Sequence, residues 1–494
     1  MPRRLQLEYP DVQAIIGAGT LEVDWVTQEF GGADLSDKRL DRRLIRTAQQ
    51  LAGSPTAPIN EACGDWASTQ AAYRLFDNPK ASAQAILKPH SDATIERMVA
   101  HGGAVLAIQD TVFFSYGQHP KTRGLGPIGK SNSAGDRGLI MHNALAFTTS
   151  GVPLGVLSQQ IWARQAVPEE GHQEKIERLQ CTAIEEKESS KWIGALRETV
   201  TRTPPGVNVI TVADRESDFF EFITEAQKQH ALFLIRARTD RRLVPEDSEG
   251  NTSILDALAS APVLGVLAVA IPSNGKRKAR TASVEVRIAH VTIKPPQRRG
   301  QAKASASMEP ITVNVIAATE VSPPDGTEAI SWVLLTNLPV RSFTAAVEKI
   351  DWYVQRWGIE IWHKVLKSGC KVEDCLLETA DRLSRYLTLF SIIGVRLMHV
   401  AYRARVQPET PATEVFSLEE IEALHIRATQ TLPPPEPPPL RDVVRMIGRL
   451  GGHLGRAGDG EPGITVLWRG WLRLYEDVAI VRAYKQALGL VDSS

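Results

Sequence analysis

The sequence is poor in cysteine, in long apolar runs and in net charge. It has four cysteines in 494 residues, without disulfide or zinc-ligand spacing, so we expect a reducing compartment and free thiols. It has no run of about 18 apolar residues and no apolar stretch after its first residues, so we expect neither a membrane span nor a signal peptide. Basic and acidic residues balance at 57 each, so any site for a polyanion must come from local clustering.

Length and composition are those of an ordinary globular protein with several domains. A chain of 494 residues is too long for one compact core, and we expect roughly two to four domains. Hydrophobic residues make up 43% and charged residues 23%, which are usual proportions. The 11 histidines are scattered, so a metal site built on histidine is not expected.

Two apolar stretches each end in an aspartate. Residues 104–109 lead into Asp110, and residues 207–213 lead into Asp214, which predicts two strands that each carry a carboxylate at their end. Further strands are predicted at 139–147, 152–161 and 231–238, and a helix at 169–200. Three antiparallel strands, a helix and then strand–helix units form the order of a ribonuclease-H-like core. In that core the acids after the first and fourth strands lie side by side, and a carboxylate from a later helix completes the site.

Residues 350–367 are predicted to form a helix with an unusual polar stripe. Five residues follow one another at helical steps and therefore share one face: Tyr353, Arg356, Glu360, Lys364 and Lys367. One interpretation is a phosphate polyanion held by the cations beside a metal ion on the carboxylate. The other is a solvated face with pairs such as Glu360–Lys364. Spacing alone leaves both open.

A basic amphipathic helix is predicted near the N-terminus, starting at Ser36 or Asp37. An apolar stripe runs from Leu40 to Leu51, and cations occupy the rest of its surface: Lys38, Arg39, Arg42, Arg43 and Arg46. This pattern suits a helix laid on DNA phosphates and equally a solvated basic face. A second helix over 59–76 is predicted to bury Trp66, Tyr73 and Phe76.

Residues 239–340 are predicted to be β-rich, with strands near 284–288, 311–318 and 332–336. The flank of this stretch is basic, and it is either an arm that binds DNA or the surface of an exposed hairpin. Its cations are Lys276, Arg277, Lys278, Arg280, Arg287, Lys294, Arg298, Arg299 and Lys303. A Gly-rich hairpin loop is predicted at 121–138, with cations that could touch DNA: Lys121, Arg123, Lys130 and Arg137.

The spacing Tyr-x2-Arg-x3-Glu-x6-Lys, present as Tyr353, Arg356, Glu360 and Lys367, resembles the signature of the insertion-sequence-four family of DDE transposases. The resemblance covers most of the chain. The segment 72–79 is similar to the end of the family's N-terminal DNA-end-binding domain, and 239–340 resembles its β-rich insertion.

The resemblance implies a catalytic site and its cofactor. Asp110, Asp214 and Glu360 would be the catalytic residues and the ligands of two Mg²⁺ ions, for which Mn²⁺ can substitute. Hard cations of this kind prefer carboxylate oxygen. Asp110 would bridge both ions.

The resemblance also implies DNA contacts. Tyr353, Arg356, Lys364 and Lys367 would hold the 5′ side of a cleaved end, as a hairpin intermediate requires. Trp332 matches a base-stacking position, although without the resemblance it would be interpreted as a core aromatic. The remaining expected DNA contacts lie on a strand after Asp214 and on the basic helix: Arg236, Arg238, Arg39, Arg42, Arg43 and Arg46.

The C-terminal region is predicted to be helical. A helix at 381–405 would pack on the sheet, a stiff proline-rich connector follows at 432–440, and a last helix begins near Leu467. Trp468, Trp471 and Leu474 look exposed on that helix. In the family the C-terminal helices dimerise the protein, whereas the proline-rich connector departs from the family pattern.

Together these features predict an α/β protein with a ribonuclease-H-like core and a β-rich insertion, flanked by helical domains at 1–83 and 406–494. The core spans 84–405. The predicted function is a cytoplasmic, nucleoid-associated cut-and-paste DNA transposase that binds inverted repeats and target DNA as a homodimer in a synaptic complex. The alternatives are a nuclease that cleaves without joining and an inactive DNA-binding regulator, against which the intact Asp110, Asp214 and Glu360 argue.

Overall fold

A computed structural model describes residues 24–129, 136–166, 171, 173–174, 178, 182–245, 249–271, 279–296, 308–456 and 458–487. Several basic residues of the predicted DNA arm and hairpin loop lie outside the described residues: Lys130, Lys276, Arg277, Lys278, Arg298, Arg299 and Lys303. Three cysteines are described, and all three are buried free thiols, as predicted: Cys63, Cys370 and Cys375.

Five helices open the described chain: α1 (Trp25–Phe30), α2 (Lys38–Gly53), α3 (Ile59–Cys63), α4 (Trp66–Asp77) and α5 (Ala83–His101). Helix α2 is the predicted basic helix. The carboxylate of Asp37 caps it by accepting a hydrogen bond from Arg39 N, and Leu40, Leu44 and Leu51 are buried as expected.

The single helix predicted over 59–76 is wrong in two respects. Gly64, with φ of 74°, ends α3 in the left-handed region and separates it from α4. Trp66 and Tyr73 are 75% and 43% exposed rather than buried, because α4 turns Ala72, Leu75 and Phe76 inward instead.

One sheet runs through the protein. Its strands are β1 (Val105–Ser115), β2 (Gly126–Pro127), β3 (Arg137–Thr148), β4 (Pro153–Trp162), β5 (Val209–Ala213), β6 (Leu232–Arg236), β7 (Gly265–Ile271), β8 (Arg280–Ile293), β9 (Ile311–Glu320) and β10 (Ser331–Thr336). The spatial order is β2-β3-β1-β5-β6-β10-β9-β8-β7, and β4 also pairs with β3.

The first strands have the predicted arrangement. Strand β3 pairs antiparallel with β1, and β4 pairs antiparallel with β3, whereas β5 lies parallel to β1 and β6 parallel to β5. Strand β1 is longer than predicted and continues to Ser115, because Val112 and Phe114 alternate inward and β3 pairs with the whole length of β1. Asp110 therefore lies within a strand rather than at its end.

The β-rich stretch is not a separate body. Strand β10 pairs with β6, and β9, β8 and β7 follow it outward, so the stretch extends the core sheet. It also contains a helix, α8 (Ile254–Ser260). Of the helix predicted over 169–200, the described residues 173, 174 and 178 are helical, a 3₁₀ turn lies at Ile184–Glu186, and α6 (Ser190–Arg202) follows; α7 (Phe220–Lys228) comes after β5.

The segment 350–367 is not one continuous helix. Helix α9 (Phe343–Val354) ends before α10 (Trp357–Lys364), and a π-helical turn, Val365–Gly369, follows. Between the two helices Gln355 N and Arg356 N donate to carbonyl groups three residues back, which tightens the chain there. The five polar residues therefore do not lie on one straight stripe.

Four helices complete the chain: α11 (Ala380–Val406), α12 (Leu418–Thr429), α13 (Leu440–Leu450) and α14 (Ile464–Ala487). Within the described residues α11 alone is long and apolar enough to cross a membrane. Most of α11 is buried inside the protein itself. It matches the helix predicted at 381–405.

The expectation that Trp468, Trp471 and Leu474 are exposed is wrong. The two tryptophans are each 7% exposed and Leu474 is 1% exposed. They pack within the chain itself, where Trp468 and Trp471 meet Trp25 of α1 and Ile393 of α11 around a small cavity. Helix α14 is therefore docked on the N-terminal helices and on α11, which accounts for the burial.

Candidate active site

Asp110 and Asp214 come from neighbouring parallel strands. Ile108 of β1 pairs with Val212 of β5; Asp110 lies two residues further along β1, and Asp214 directly follows the last residue of β5. Both carboxylates are half-buried. Asp110 accepts a hydrogen bond from Thr111 N at 2.8 Å, and Asp214 caps a short 3₁₀ turn by accepting one from Glu216 N at 2.8 Å.

Glu360 is carried over this pair by α10. Helix α10 packs closely on the sheet because its residue 358 is glycine: a Cβ at Gly358 would lie 2.8 Å from the ring of Phe147 on β3. The neighbouring Ile359 and Trp362 are fully buried and fix the rotation of the helix. Glu360 lies on the opposite, partly exposed side.

Arg356 connects the helix to the strand. Its Nη2 lies 2.6 Å from Glu360 Oε1, and its Nη1 lies 3.7 Å from Asp110 Oδ2. The residue is only 8% exposed, and its Nε has no partner among the described residues. A buried guanidinium thus stands between two of the three predicted metal ligands.

The site holds excess negative charge despite Arg356. Burial raises the pKa of Asp110 to about 7, and the charges of Asp214 and Glu360 act in the same direction. The Thr111 hydrogen bond and Arg356 oppose this rise without cancelling it. The three carboxylates are therefore close enough to influence one another electrostatically.

Across the described ranges of the chain, no three His, Cys, Asp or Glu side chains are placed to hold a metal ion as they stand. Arg356 lies against two of the three carboxylates, Glu360 and Asp110. The chemistry of the donor set fits a hard divalent cation, since it consists of carboxylate oxygens.

The aromatic residues expected to contact DNA pack together. Tyr353 is buried, and Trp332 of β10 is half-buried and meets it edge to face, with ring centroids 5.9 Å apart. Arg236 at the end of β6 donates to Ser331 O at 3.0 Å. Burial and nearby cations, chiefly Arg215, lower the pKa of Arg236.

Arg238 is exposed, and its backbone N–H donates to a buried carboxylate. Asp218, whose side chain is fully buried, accepts a hydrogen bond from Arg238 N at 2.7 Å and pairs with Arg241. This contact ties the segment after β6 to the turn that follows Asp214. Sequence reasoning missed Asp218, although a second acid four residues after Asp214 was visible.

The two lysines of the stripe differ. Lys364 is exposed and has no ion pair in the described part of the structure. Lys367, displaced by the π-helical turn, lies 3.4 Å from Glu373, which also accepts a hydrogen bond from Ser115 N at the end of β1. Glu373 is a second residue that sequence reasoning missed, since the pairing depends on a loop.

An exposed aromatic also borders the site. Trp357 is 52% exposed, and the Arg356 guanidinium lies 5.3 Å from its ring centroid. The sequence offered a signal, because Trp357 directly follows Arg356. His363 is buried, and burial, followed by Lys367 and Arg356, lowers its pKa to about 3.

The basic face of α2 is largely exposed to solvent. Lys38, Arg39, Arg42 and Arg46 are exposed and Arg43 is half-buried. Lys38 and Arg39 form local pairs with Asp41 and Asp37, whereas no ion pair involves the other three cations within the described residues. This face therefore retains three cations for a partner.

Comparison with known proteins places transposase domains at both ends of the chain. Residues 22–81 match the transposase DNA-binding family, and residues 392–488 match the transposase Tn5 dimerisation domain. One solved structure with some similarity is the cryo-EM structure of the piggyBac transposase synaptic complex with hairpin DNA. It is 11% identical with a TM-score of 0.31, and the match covers 69% of this chain and 56% of that one. The two family matches support a Tn5-like DNA transposase with DNA-binding and dimerisation domains.

Proposed function

We propose that the protein is a cut-and-paste DNA transposase of the insertion-sequence-four type, with Asp110, Asp214 and Glu360 as its catalytic carboxylates. The observation that carries the proposal is the convergence of these three residues on the parallel pair β1 and β5 beneath α10. The strand order β4-β3-β1-β5-β6 supports a ribonuclease-H-like core. The family matches at both ends support the binding of DNA ends by a dimer.

The chemistry is phosphoryl transfer at DNA phosphorus. Water attacks a phosphorus at the transposon end and the bond from that phosphorus to the 3′-oxygen breaks; the freed 3′-hydroxyl then attacks another DNA phosphorus and displaces the 3′-oxygen bound there. Two Mg²⁺ ions, or Mn²⁺, would be held by Asp110, Asp214 and Glu360 and would activate the attacking oxygen and stabilise the leaving oxygen. Burial raises the pKa of Asp110 to about 7, so a cation beside this carboxylate would stabilise its ionised form.

The other residues of the site hold DNA. Arg356 is placed to exchange its carboxylate partners for a phosphate, because a guanidinium binds either anion in a forked geometry. Lys364 is free to bind phosphate directly, and Lys367 can do so by exchanging Glu373. A strand end bent into a hairpin would pass over Trp332, whose ring packs on the buried Tyr353.

The substrates would be double-stranded transposon ends with inverted repeats and a target DNA, joined in a synaptic homodimer. Helix α2 would bind the end through its exposed cations. The enzyme would act in the cytoplasm at the nucleoid.

The test replaces each carboxylate by its amide or by alanine. Asp110→Asn, Asp214→Asn and Glu360→Gln should each lose cleavage by several orders of magnitude, because residues of one metal site act as a unit. Binding to the end sequence should remain. The control is Glu96→Gln, an exposed carboxylate of α5. Mg²⁺-dependent nicking by any of the three variants would disprove the assignment, and strand transfer by the unaltered protein separates a transposase from a simple nuclease.

A further inference from the structure

A row of polar residues crosses three strands beside Asp110. Asp110 of β1 pairs with Asn143 of β3, and Asn143 pairs with Gln159 of β4. Directly paired residues of antiparallel strands point to the same face of a sheet. The three side chains therefore share the face on which α10 and α11 pack. Asn143 and Gln159 are 0% and 2% exposed.

The hydrogen bonds of this row start on α11. Ser391 Oγ donates to Leu387 O at 2.7 Å, so it accepts from Gln159 Nε2 at 2.8 Å. Thr388 Oγ1 has one proton and two acceptors within reach, Gln159 Oε1 at 2.8 Å and Ser384 O at 2.9 Å, and we assign the proton to the shorter bond. The second N–H of the Gln159 amide donates to Asn143 Oδ1 at 3.0 Å.

This order leaves one donor of Asn143 unused. Its Oδ1 faces Gln159 on β4, so its Nδ2 lies on the other edge of the carboxamide, toward β1. That Nδ2 is buried and has no partner among the described residues. A buried donor without a partner costs about 1–3 kcal/mol, and it lies on the side where Asp110 is its neighbour in register.

Asp110 has acceptor capacity to spare. One oxygen accepts from Thr111 N, and the other is 3.7 Å from Arg356, beyond hydrogen-bond distance. A carboxylate offers about four acceptor positions. The unused donor and the unused acceptor therefore belong to paired residues of adjacent strands.

We propose that Asn143 is a positioning residue for Asp110: its Nδ2 donates to the Asp110 carboxylate when that carboxylate turns to hold a divalent cation. The inference rests on the proposed function. Donors behind a ligand fix its orientation, and their loss typically weakens metal binding 10–100-fold. Gln159, held by Ser391 and Thr388, acts one step further back by fixing which edge of the Asn143 amide faces Asp110.

The experiment measures Mn²⁺ binding to the full-length, DNA-free protein by calorimetry. Asn143→Leu, which is similar in size and has no donor, should weaken binding at least tenfold. Gln159→Leu should weaken it less, because Asn143 keeps its donor but loses its orientation. The matched control is Gln109→Leu: Gln109 is equally buried and also has a free Nε2, but it lies on the other face of β1.

The outcomes separate this inference from the proposed function. Mn²⁺ binding by the wild type and its loss in Asp110→Ala would establish that Asp110 is a metal ligand. If both results are obtained and a folded Asn143→Leu protein binds Mn²⁺ as tightly as wild type, the role of Asn143 is wrong and the transposase proposal stands. If neither the wild type nor Arg356→Gln binds Mn²⁺, the metal site fails and the inference fails with it.

A second variant covers a loss of folding. Should thermal unfolding reveal that Asn143→Leu is not folded, Asn143→Ala gives the same test, since it removes the donor without adding apolar bulk. A tenfold weaker affinity at an unchanged melting temperature supports positioning. Unchanged affinity in a folded Asn143→Ala protein overturns it.

Discussion

The guanidinium of Arg356 and the carboxylate of Glu360 form a 2.6 Å ion pair one helical turn apart, and the same guanidinium reaches toward Asp110. An internal cation therefore partly neutralises the site that would bind metal ions. The same side chain is a proposed phosphate ligand, so binding of DNA and release of the carboxylates are expected to be coupled.

Replacing Arg356 should affect the two ligands in opposite directions. Arg356→Gln frees Asp110 and Glu360, so Mn²⁺ affinity of the DNA-free protein should rise by about tenfold, equivalent to roughly 1.4 kcal/mol. Affinity for a cleaved DNA end should fall, since a phosphate contact is lost. Calorimetry and a gel-shift titration measure the two effects. The control Arg382→Gln removes an exposed ion pair with Asp77, and a fall in both affinities for Arg356→Gln would contradict the coupling.

The exposed cations of α2 should determine the salt dependence of end binding. Arg42→Ala with Arg43→Ala should reduce the slope of log K against log salt by about one unit per lost phosphate contact. The control is Arg445→Ala. Arg445 is an exposed arginine of α13 that pairs with Glu461. An unchanged slope would mean that α2 has a merely solvated basic face. Loss of preference for the end sequence would indicate that one of these arginines reads a base.

Trp332 should matter for hairpin formation rather than for the first cut. Its ring is only half-buried against Tyr353, and stacking on a base contributes about 1–3 kcal/mol. Trp332→Ala should therefore permit nicking and slow hairpin formation by about tenfold or more. A denaturing gel follows the nicked and hairpin products over time. Equal slowing of both steps, or a lower melting temperature, would assign Trp332 to the core.

Dimerisation should depend on apolar residues other than those suggested by the sequence. With Trp468 and Trp471 buried inside the chain, the large exposed apolar side chains of α14 are Ile480 and Tyr484, 67% and 66% exposed and one turn apart. Ile480→Lys with Tyr484→Lys should abolish paired-end complexes and leave single-end binding, measured by mass photometry. Leu454→Lys, equally exposed at 66%, is the control. Normal pairing by the double variant would place the interface elsewhere.

A buried ion cluster should make the attachment of α1 pH-dependent. Burial disfavours ionised Glu29, but Arg97 and then His90 outweigh it and lower the pKa of Glu29 to about 2. Since this pKa lies below the ordinary 4.5, the pair stabilises the protein above pH 4.5, and the contribution disappears as pH falls toward 2. Its size is roughly 3 kcal/mol.

Glu29→Gln should therefore lower the free energy of unfolding at pH 7, and its difference from wild type should shrink between pH 5 and pH 2. Urea unfolding at several pH values measures the difference. Glu96→Gln on α5, an exposed carboxylate, should have no such effect. A constant difference across this range would refute the linkage.

Local patterns of the sequence predicted the strand that contains Asp110 and the strand that ends just before Asp214. A short apolar run bounded by polar residues is typical of a buried strand. They did not predict which partner buries an apolar residue. Trp468 and Trp471 have the same periodicity whether they pack against a second protomer or against Trp25. Likewise, the charges of Arg356 and Glu360 were visible, but their proximity to Asp110 follows from a tertiary contact between α10 and β1.

The pairing of β10 with β6 has a mechanical consequence. Leu334 lies opposite Arg236 in the hydrogen-bonded pairing of β10 with β6. This pairing fixes the distance between Trp332 and Arg236. A DNA end that reaches both must adapt its own shape to that spacing. Under the proposed function, the rigid sheet would leave the bending to the nucleic acid.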